Sequence, residues 1–326
     1  MPIRGDTLLY LSSTDVLGCR LEPSEAIAAV EAAFAACAAG TARVGAKAPL
    51  PLGTGYFFQT MLGTLGAAGI AGMKWFGVSP DNPARGLPNV VGLIVLSDIE
   101  TAMPLAVIDG NGATGMRTAA MTAAAAKRLA SPEATRAAFI GCGVQARSHA
   151  VFLRHVLPRL HHAAALGRGA ASRDAFAAWL RDEGWDVRVA SGPEDALDGA
   201  EVAVSTVPEY PGWKPFLDPA RLPRGAFAAG VDLGRSWLPS GYGRFGLVAT
   251  DDIPQSVHLI EEGRLKAPAE FDADLAGLIT GAHPGRREAA DRVFFVFAGH
   301  VLGDLAVAAA LYRRAVSQEI GTRLSR

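Results

Sequence analysis

Apolar residues change their rhythm near the middle of this chain. Over residues 24–39 they recur at helical spacing behind Pro23 and Ser24, a start signal, and stop before Gly40, which predicts a helix. Residues 49–96 carry short apolar runs broken by glycine and proline. Tyr56-Phe57-Phe58, residues 70–76 and residues 90–96 read as strands of an antiparallel or mixed sheet. Between the last two, Ser79-Pro80-Asp81-Asn82-Pro83-Ala84-Arg85-Gly86-Leu87-Pro88 holds too many turn formers for regular structure. Residues 118–129 form an alanine-dense helical pattern. From 136 onward strands alternate with helical patterns, the strands at 137–140, 163–166, 187–190, 202–206, 226–231 and 247–250. That alternation predicts an α/β chain with a Rossmann-type, doubly wound parallel sheet, preceded by a mixed α+β domain. The apolar stretch 293–316 reads as one long helix carrying the chain back toward the first domain. A chain of 326 residues suits two domains.

The first strand of the alternating half runs into Gly141-Cys142-Gly143-Val144-Gln145-Ala146, a G-x-G-x-x-A pattern that opens a helix. Glycine is 37 of 326 residues, so the pattern alone is common; its strand–turn–helix setting is what gives it meaning. The first glycine permits the turn, the second lets backbone approach a pyrophosphate, and the small third residue lets the helix pack on the strand. Free N–H groups and the positive dipole end of the helix then face the phosphates. The bland alternative is a tight turn that binds nothing. About 20 residues further on, an NAD-binding chain places an acid for the ribose hydroxyl. Here the second strand ends in Gly167-Arg168-Gly169, with no carboxylate. Arg168, with Arg173 as a second candidate, is suited to a 2′-phosphate, which favours NADP(H) over NAD(H). The competing reading is a solvent-facing loop arginine.

Composition narrows the partners. The formal net charge is −1, with Lys and Arg scattered, which argues against capture of nucleic acid or an acidic membrane. Cys19, Cys37 and Cys142 are too few for a disulfide framework and lack metal-ligand spacing, so no metal is expected. Met1-Pro2-Ile3-Arg4-Gly5-Asp6 leads into no signal-like segment, and the best membrane-span candidate, 301–311, is broken by Asp304. The expectation is a soluble, cytoplasmic protein.

Three residues stand out as chemistry. Lys74 sits in the apolar run Ile70-Ala71-Gly72-Met73-Lys74-Trp75-Phe76, where it is either paired and functional or on an exposed strand face. Arg117, at the predicted start of the alanine helix, has a charge opposed to the helix dipole, which suits an anion ligand better than a cap. Asp232 follows a strand at its C-terminal end, where doubly wound sheets place ligands.

Read in order, Gly72-Met73-Lys74, Asp81-Asn82-Pro83-Ala84-Arg85-Gly86-Leu87-Pro88, Leu96-Ser97-Asp98, Met116-Arg117-Thr118-Ala119-Ala120 and the glycine loop resemble the ornithine cyclodeaminase/mu-crystallin family. So do Gly230-Val231-Asp232, Asp251-Asp252 with Gln255, and Phe297-Ala298-Gly299-His300-Val301-Leu302-Gly303-Asp304. The resemblance covers nearly the whole chain. It implies a homodimer and a split domain, 1–117 with 300–326, for substrate binding and dimerisation, with a dinucleotide-binding domain at 118–299. It implies chemistry at the Cα–N bond of an imino or amino acid. Lys74 matches a lysine that contacts the substrate carboxylate and handles protons, Arg117 a carboxylate-binding arginine, and Asp232 an aspartate that holds the nitrogen. Gly141, Gly143, Val144, Gln145, Thr118, Thr206, Arg168 and Gly299 are the implied cofactor contacts.

Two departures bear on substrate. Lys47 stands nearest to a substrate-binding arginine of the family, with Arg43 out of register, and a lysine lacks the bidentate fork. Leu233-Gly234-Arg235-Ser236-Trp237-Leu238 replaces the family's P-G-K-x-E-L, which counts against ornithine, and the missing acid with Arg168 tips the expectation toward NADPH-dependent reduction of a cyclic ketimine. Δ1-pyrroline-2-carboxylate and Δ1-piperideine-2-carboxylate are the substrates in view. Ornithine cyclodeaminase, an alanine-type dehydrogenase and a silent NADPH-binding protein are the alternatives. Tyr56, Phe58, Met61 and Trp75 are expected to shape the substrate pocket, and Cys142 to be only a small residue in a tight turn.

Overall fold

The computed structural model describes residues 7–208 and 212–326; residues 1–6, on which the reading of the N-terminus rests, and residues 209–211 lie outside that description. In chain order the first half runs β1 (Thr7–Leu11), α1 (Ser13–Gly18), α2 (Pro23–Ala38), β2 (Ala42–Val44), β3 (Ala48–Gly53), β4 (Tyr56–Leu65), β5 (Ile70–Val78), β6 (Val90–Asp98), β7 (Pro104–Asp109) and α3 (Gly110–Leu129). It continues with β8 (Arg136–Ile140), α4 (Val144–Val156), β9 (His162–Leu166), α5 (Ala170–Asp182), β10 (Asp186–Val189), α6 (Pro193–Leu197), β11 (Val202–Ser205), β12 (Phe227–Gly230) and β13 (Phe245–Thr250). The last elements are α7 (Ile253–Glu261), β14 (Ala273–Asp274), α8 (Leu275–Thr280), β15 (Arg292–Val296), α9 (Val301–Gln318) and β16 (Thr322–Ser325). The chain divides into two compact units, Met1–Arg117 with His300–Arg326, and Thr118–Gly299.

The first unit is a mixed sheet in the order β16-β1-β7-β6-β5-β4-β2, with β3 also on β4. Only the β1–β7 pair is parallel among the described residues. Side chains alternate between faces along each strand. Met61, Lys74 and Ile94 are aligned across β4, β5 and β6 and are all buried. The next row, Thr60, Trp75 and Leu93, points the other way, and Trp75 and Leu93 are exposed. Helix α9 covers the Lys74 face. A Cβ on Gly72 would lie 2.8 Å from Leu305 Cδ2 and one on Gly63 3.0 Å from Val301 Cγ1, so the two glycines let the helix approach closely.

The second unit is a parallel sheet in the order β10-β9-β8-β11-β12-β15-β13-β14. The fold is thus α/β with a parallel sheet and a mixed sheet. The order in which strands are added reverses between β8 and β11, the switch point at which such sheets bind ligands. Its strands are short and buried on both faces: β11 and β12 are buried at every position.

Two elements differ from the sequence expectation. Helix α3 starts at Gly110 rather than Thr118, so Arg117 lies inside it and the dipole argument for that residue falls away. Gly110-Asn111-Gly112 reads as a loop by propensity. A Cβ on Gly110 would lie 2.7 Å from the Gly92 carbonyl oxygen, and one on Gly112 2.9 Å from Val16 Cγ1, so close packing outweighs propensity there. The stretch 293–316 is not one helix but β15 and α9. Gly299 at φ +82° breaks the run, and Arg292–Val296 slots between β12 and β13. No metal-holding group of three acidic, histidine or cysteine side chains occurs among the described residues, and no helix among them is long and apolar enough to cross a membrane.

Candidate active site

In the first unit, strand alternation turns Lys74 onto the face beneath α9, leaving it 3 % exposed. Of the two readings open for this residue, the buried and paired one holds. Its Nζ donates to Asp304 Oδ1 at 3.0 Å and to Thr114 Oγ1 at 2.6 Å, and lies 5.2 Å from the centre of the Phe76 ring. Arg117, two turns into α3, donates from Nε to the same Asp304 oxygen at 3.1 Å. Asp304 is fully buried in the first turn of α9. Burial lowers the Lys74 pKa to about 8; Asp304 opposes that fall and Arg117 adds to it. For Asp304 burial acts to raise the pKa, but Arg117, Lys74 and Lys47 together hold it below its ordinary value. Lys47 therefore belongs to the same electrostatic cluster, with its charge on the short segment before β3. Three cations thus act on one carboxylate, an arrangement able to receive an anionic group.

Alternation also separates two of the expected pocket residues from this cluster. Phe58 and Trp75 stack on each other at 5.3 Å on the exposed face of the sheet, away from Lys74. Met61 lies beside Lys74, and the Tyr56 hydroxyl donates to Asp81.

In the second unit, the glycine loop sits at the switch point. Gly141 has φ +98°, and a Cβ there would lie 2.6 Å from Thr206 Oγ1 at the end of β11. Gly143, the N-cap of α4, has no atom within 4 Å of where its Cβ would be, so the approach to the helix N-terminus is open. Gln145 Oε1 and Thr118 Oγ1 are buried without a hydrogen-bond partner, an expensive condition for a polar atom unless something else binds there. Val144, which opens α4, is 68 % exposed. These features fit a dinucleotide. Arg168 stands in the exposed loop after β9, and the Gly299 carbonyl accepts from Gln255 Nε2 at 3.4 Å. Cys142 donates to the Leu166 carbonyl at 3.5 Å, and burial raises its pKa to about 11.

Asp232, just beyond β12, is 6 % exposed. Ser205 Oγ donates to its Oδ1 at 2.9 Å, Ser236 Oγ donates to its Oδ2, and Trp237 Nε1 donates to Ser205 Oγ at 3.0 Å. Burial pushes the Asp232 carboxyl up to about 6, against the two serine hydrogen bonds. The same burial, with Asp232 nearby, raises the Tyr242 hydroxyl to about 12.

Sequence reasoning missed Asp304, Thr114, Ser205 and Ser236. Asp304 had two signals: it is the acid that interrupts the apolar stretch 301–311, and it closes the family-like segment that begins at Phe297. The others are common residues whose partners lie 27 to 40 positions away, or follow four residues behind in an irregular turn.

A split unit with a buried cation pair and a second unit whose parallel sheet carries a dinucleotide loop define the class of pyridine-nucleotide oxidoreductases and cyclodeaminases. Within it, residues 10–319 match the model of the ornithine cyclodeaminase/mu-crystallin family, and the chain belongs to that family. It is 31 % identical over 309 residues to an alanine dehydrogenase of Archaeoglobus fulgidus, covering 92 % of this chain and 93 % of that one. It is 27 % identical over 268 residues to a Δ1-pyrroline-2-carboxylate reductase of Bacillus cereus, covering 78 % and 80 %. An archaeal alanine dehydrogenase dimer solved with bound NAD superposes with a TM-score of 0.84 at 27 % identity, over 98 % of this chain and 99 % of that one.

Proposed function

We propose that this protein is an NADPH-dependent reductase of a small cyclic ketimine, Δ1-pyrroline-2-carboxylate or Δ1-piperideine-2-carboxylate. The observation that carries the reading is the convergence of Lys74 and Arg117 on one buried point, with Lys47 acting on the same point, a set of cationic donors suited to a carboxylate. Lys74 and Arg117 hold the substrate carboxylate and so fix the position of the imine carbon next to it. Asp232, titrating near 6, is mostly ionised at pH 7 and stabilises the protonated imine nitrogen. Gly141, Gly143, Val144, Gln145, Thr118, Thr206 and Gly299 hold the nucleotide, with Arg168 on a 2′-phosphate. When bound, the reduced nicotinamide supplies the hydride that saturates the C=N bond. A second copy of the chain covers the exposed apolar face of the mixed sheet, where Phe58, Leu62, Met73, Trp75, Val91 and Leu93 lie together. The dimeric state of the archaeal neighbour supports this, and light scattering at a mass of one 33.9 kDa chain would refute it.

A second reading has its own support. The alanine dehydrogenase matches more of the chain than the reductase does, and its archaeal structural neighbour holds NAD. The deciding assay offers purified protein Δ1-pyrroline-2-carboxylate and NADPH. Stoichiometric NADPH oxidation with proline formed is the expected result. Pyruvate and ammonia from alanine with NAD+ would install the dehydrogenase, proline and ammonia from ornithine without net cofactor change the cyclodeaminase, and no turnover a binding protein. NADP+ is expected to raise the melting temperature more than NAD+, and Arg168→Ala to abolish that difference. A larger shift with NAD+ would overturn the role given to Arg168.

A further inference from the structure

Asp304 is an odd choice for a structural residue. It is fully buried in the first turn of a helix whose neighbours there are Val301, Leu302 and Leu305. Its Oδ2 has no hydrogen-bond partner. A buried carboxylate with one oxygen unsatisfied is costly in itself, so its place here is owed to the two buried cations that it neutralises. What the carboxylate does achieve is geometric. Both cations meet the same oxygen, Lys74 at 3.0 Å and Arg117 at 3.1 Å, so their nitrogens lie within about 6 Å of each other. Two positive groups at that spacing, buried and without an anion, would repel one another and turn apart. The helix that delivers Asp304 is itself pinned, because Gly63 and Gly72 bring it against the sheet.

We propose that Asp304 is a positioning residue, which holds Lys74 and Arg117 together as a single carboxylate-binding pair. The inference rests on the reading that this pair receives a substrate carboxylate. Asp304 keeps the two nitrogens converged and both protonated while the site is empty. An arriving carboxylate then meets donors that need no rearrangement, and the lost conformational freedom has already been accounted for in folding. Among the described residues, the charges that act on the pair include Arg117 from α3, Lys74 from β5, Lys47 before β3 and Asp304 from α9; His300 is the N-cap of that helix. Thr114 completes the Lys74 shell from α3.

The test is titration calorimetry of the whole protein with pyrrole-2-carboxylate, a planar cyclic carboxylate, between pH 6 and pH 10. Wild-type binding is expected to weaken as pH rises through the Lys74 value of about 8. Asp304→Asn removes the charge that keeps Lys74 protonated. Its binding at pH 7 should fall about tenfold or more, with the alkaline midpoint moved down by about one pH unit. Asp304→Glu keeps the charge and shifts the oxygen, so affinity should fall while the midpoint stays near that of the wild type. The glutamate variant also decides the matter if the asparagine variant does not fold. Unchanged affinity in Asp304→Glu, or an unchanged midpoint in folded Asp304→Asn, would overturn the positioning role. A wild-type protein that binds the probe with this pH profile but reduces no imine sinks only the proposed reductase reading. A wild-type protein that does not bind the probe sinks the pair and this inference with it.

Discussion

Asp304 in the first unit and Asp232 in the second are both buried, and the two are held in opposite ways. Asp304 faces Lys74, Arg117 and Lys47, and its carboxyl stays below the ordinary value. Asp232 faces two serine hydroxyls, with Arg235 a weaker influence, and rises to about 6. Burial pushes both upward; what differs is whether full cations stand within hydrogen-bond reach. Hydroxyl dipoles orient a carboxylate without fully compensating the loss of water, whereas salt-bridged cations do compensate it. One carboxylate is thereby a fixed anion that organises cations. The other is held by dipoles alone at the hydrogen-bond level, and burial leaves its carboxyl raised to about 6.

The largest effect that should break this contrast is Asp232→Asn. With a ketimine substrate, turnover is expected to drop about 10²- to 10⁴-fold, the range for loss of a positioned acid or base. The stability consequence has a definite sign. A carboxyl whose folded value is raised to about 6 from 3.8 favours the fold below pH 4 and loses that contribution as pH climbs through 6. Urea unfolding of the asparagine variant should therefore gain on the wild type by up to about 3 kcal/mol between pH 4 and pH 7. A flat difference across that range would show that Asp232 is not perturbed. Asp304 slopes the other way, since its contribution is present above pH 4 and disappears as pH falls through its lowered folded value.

Next in size is Arg117→Met. Loss of a charged donor to the substrate carboxylate should raise KM about 10- to 100-fold, with a smaller change in kcat. An unchanged KM would remove Arg117 from the site. The smallest effect sharpens the comparison from the hydroxyl side. Ser236→Ala deletes one of the two hydrogen bonds that restrain Asp232, so the acid limb of the pH–rate profile should move upward from about 6 by about one unit. A downward move would mean that the serine raises rather than lowers the proton affinity.

Much of the parallel unit could be read from the chain. Short runs such as Ala137–Ile140 are apolar throughout because both faces of a parallel strand are covered, and the glycine loop follows the first of them. Lys74 and Asp232 were visible as polar residues in apolar surroundings. The start of α3 was not visible, because Gly110 and Gly112 are there for contact with Gly92 and Val16, far away in sequence. Nor was the strand at β15, whose apolar run is as good a helix as a strand until its neighbours β12 and β13 are known.

By itself the sequence determined the period of each half, the loop at residues 141–146 and the residue types able to hold a carboxylate or a proton. Those are local properties, fixed by side-chain spacing and backbone permissiveness. Only the tertiary structure decided that Asp304, 230 positions from Lys74 and 187 from Arg117, supplies the oxygen on which both cations converge. It alone decided that Asp232 accepts hydrogen bonds from Ser205 and Ser236. The charge state of a buried group depends on which partners long-range packing brings to it, and no spacing along the chain encodes that.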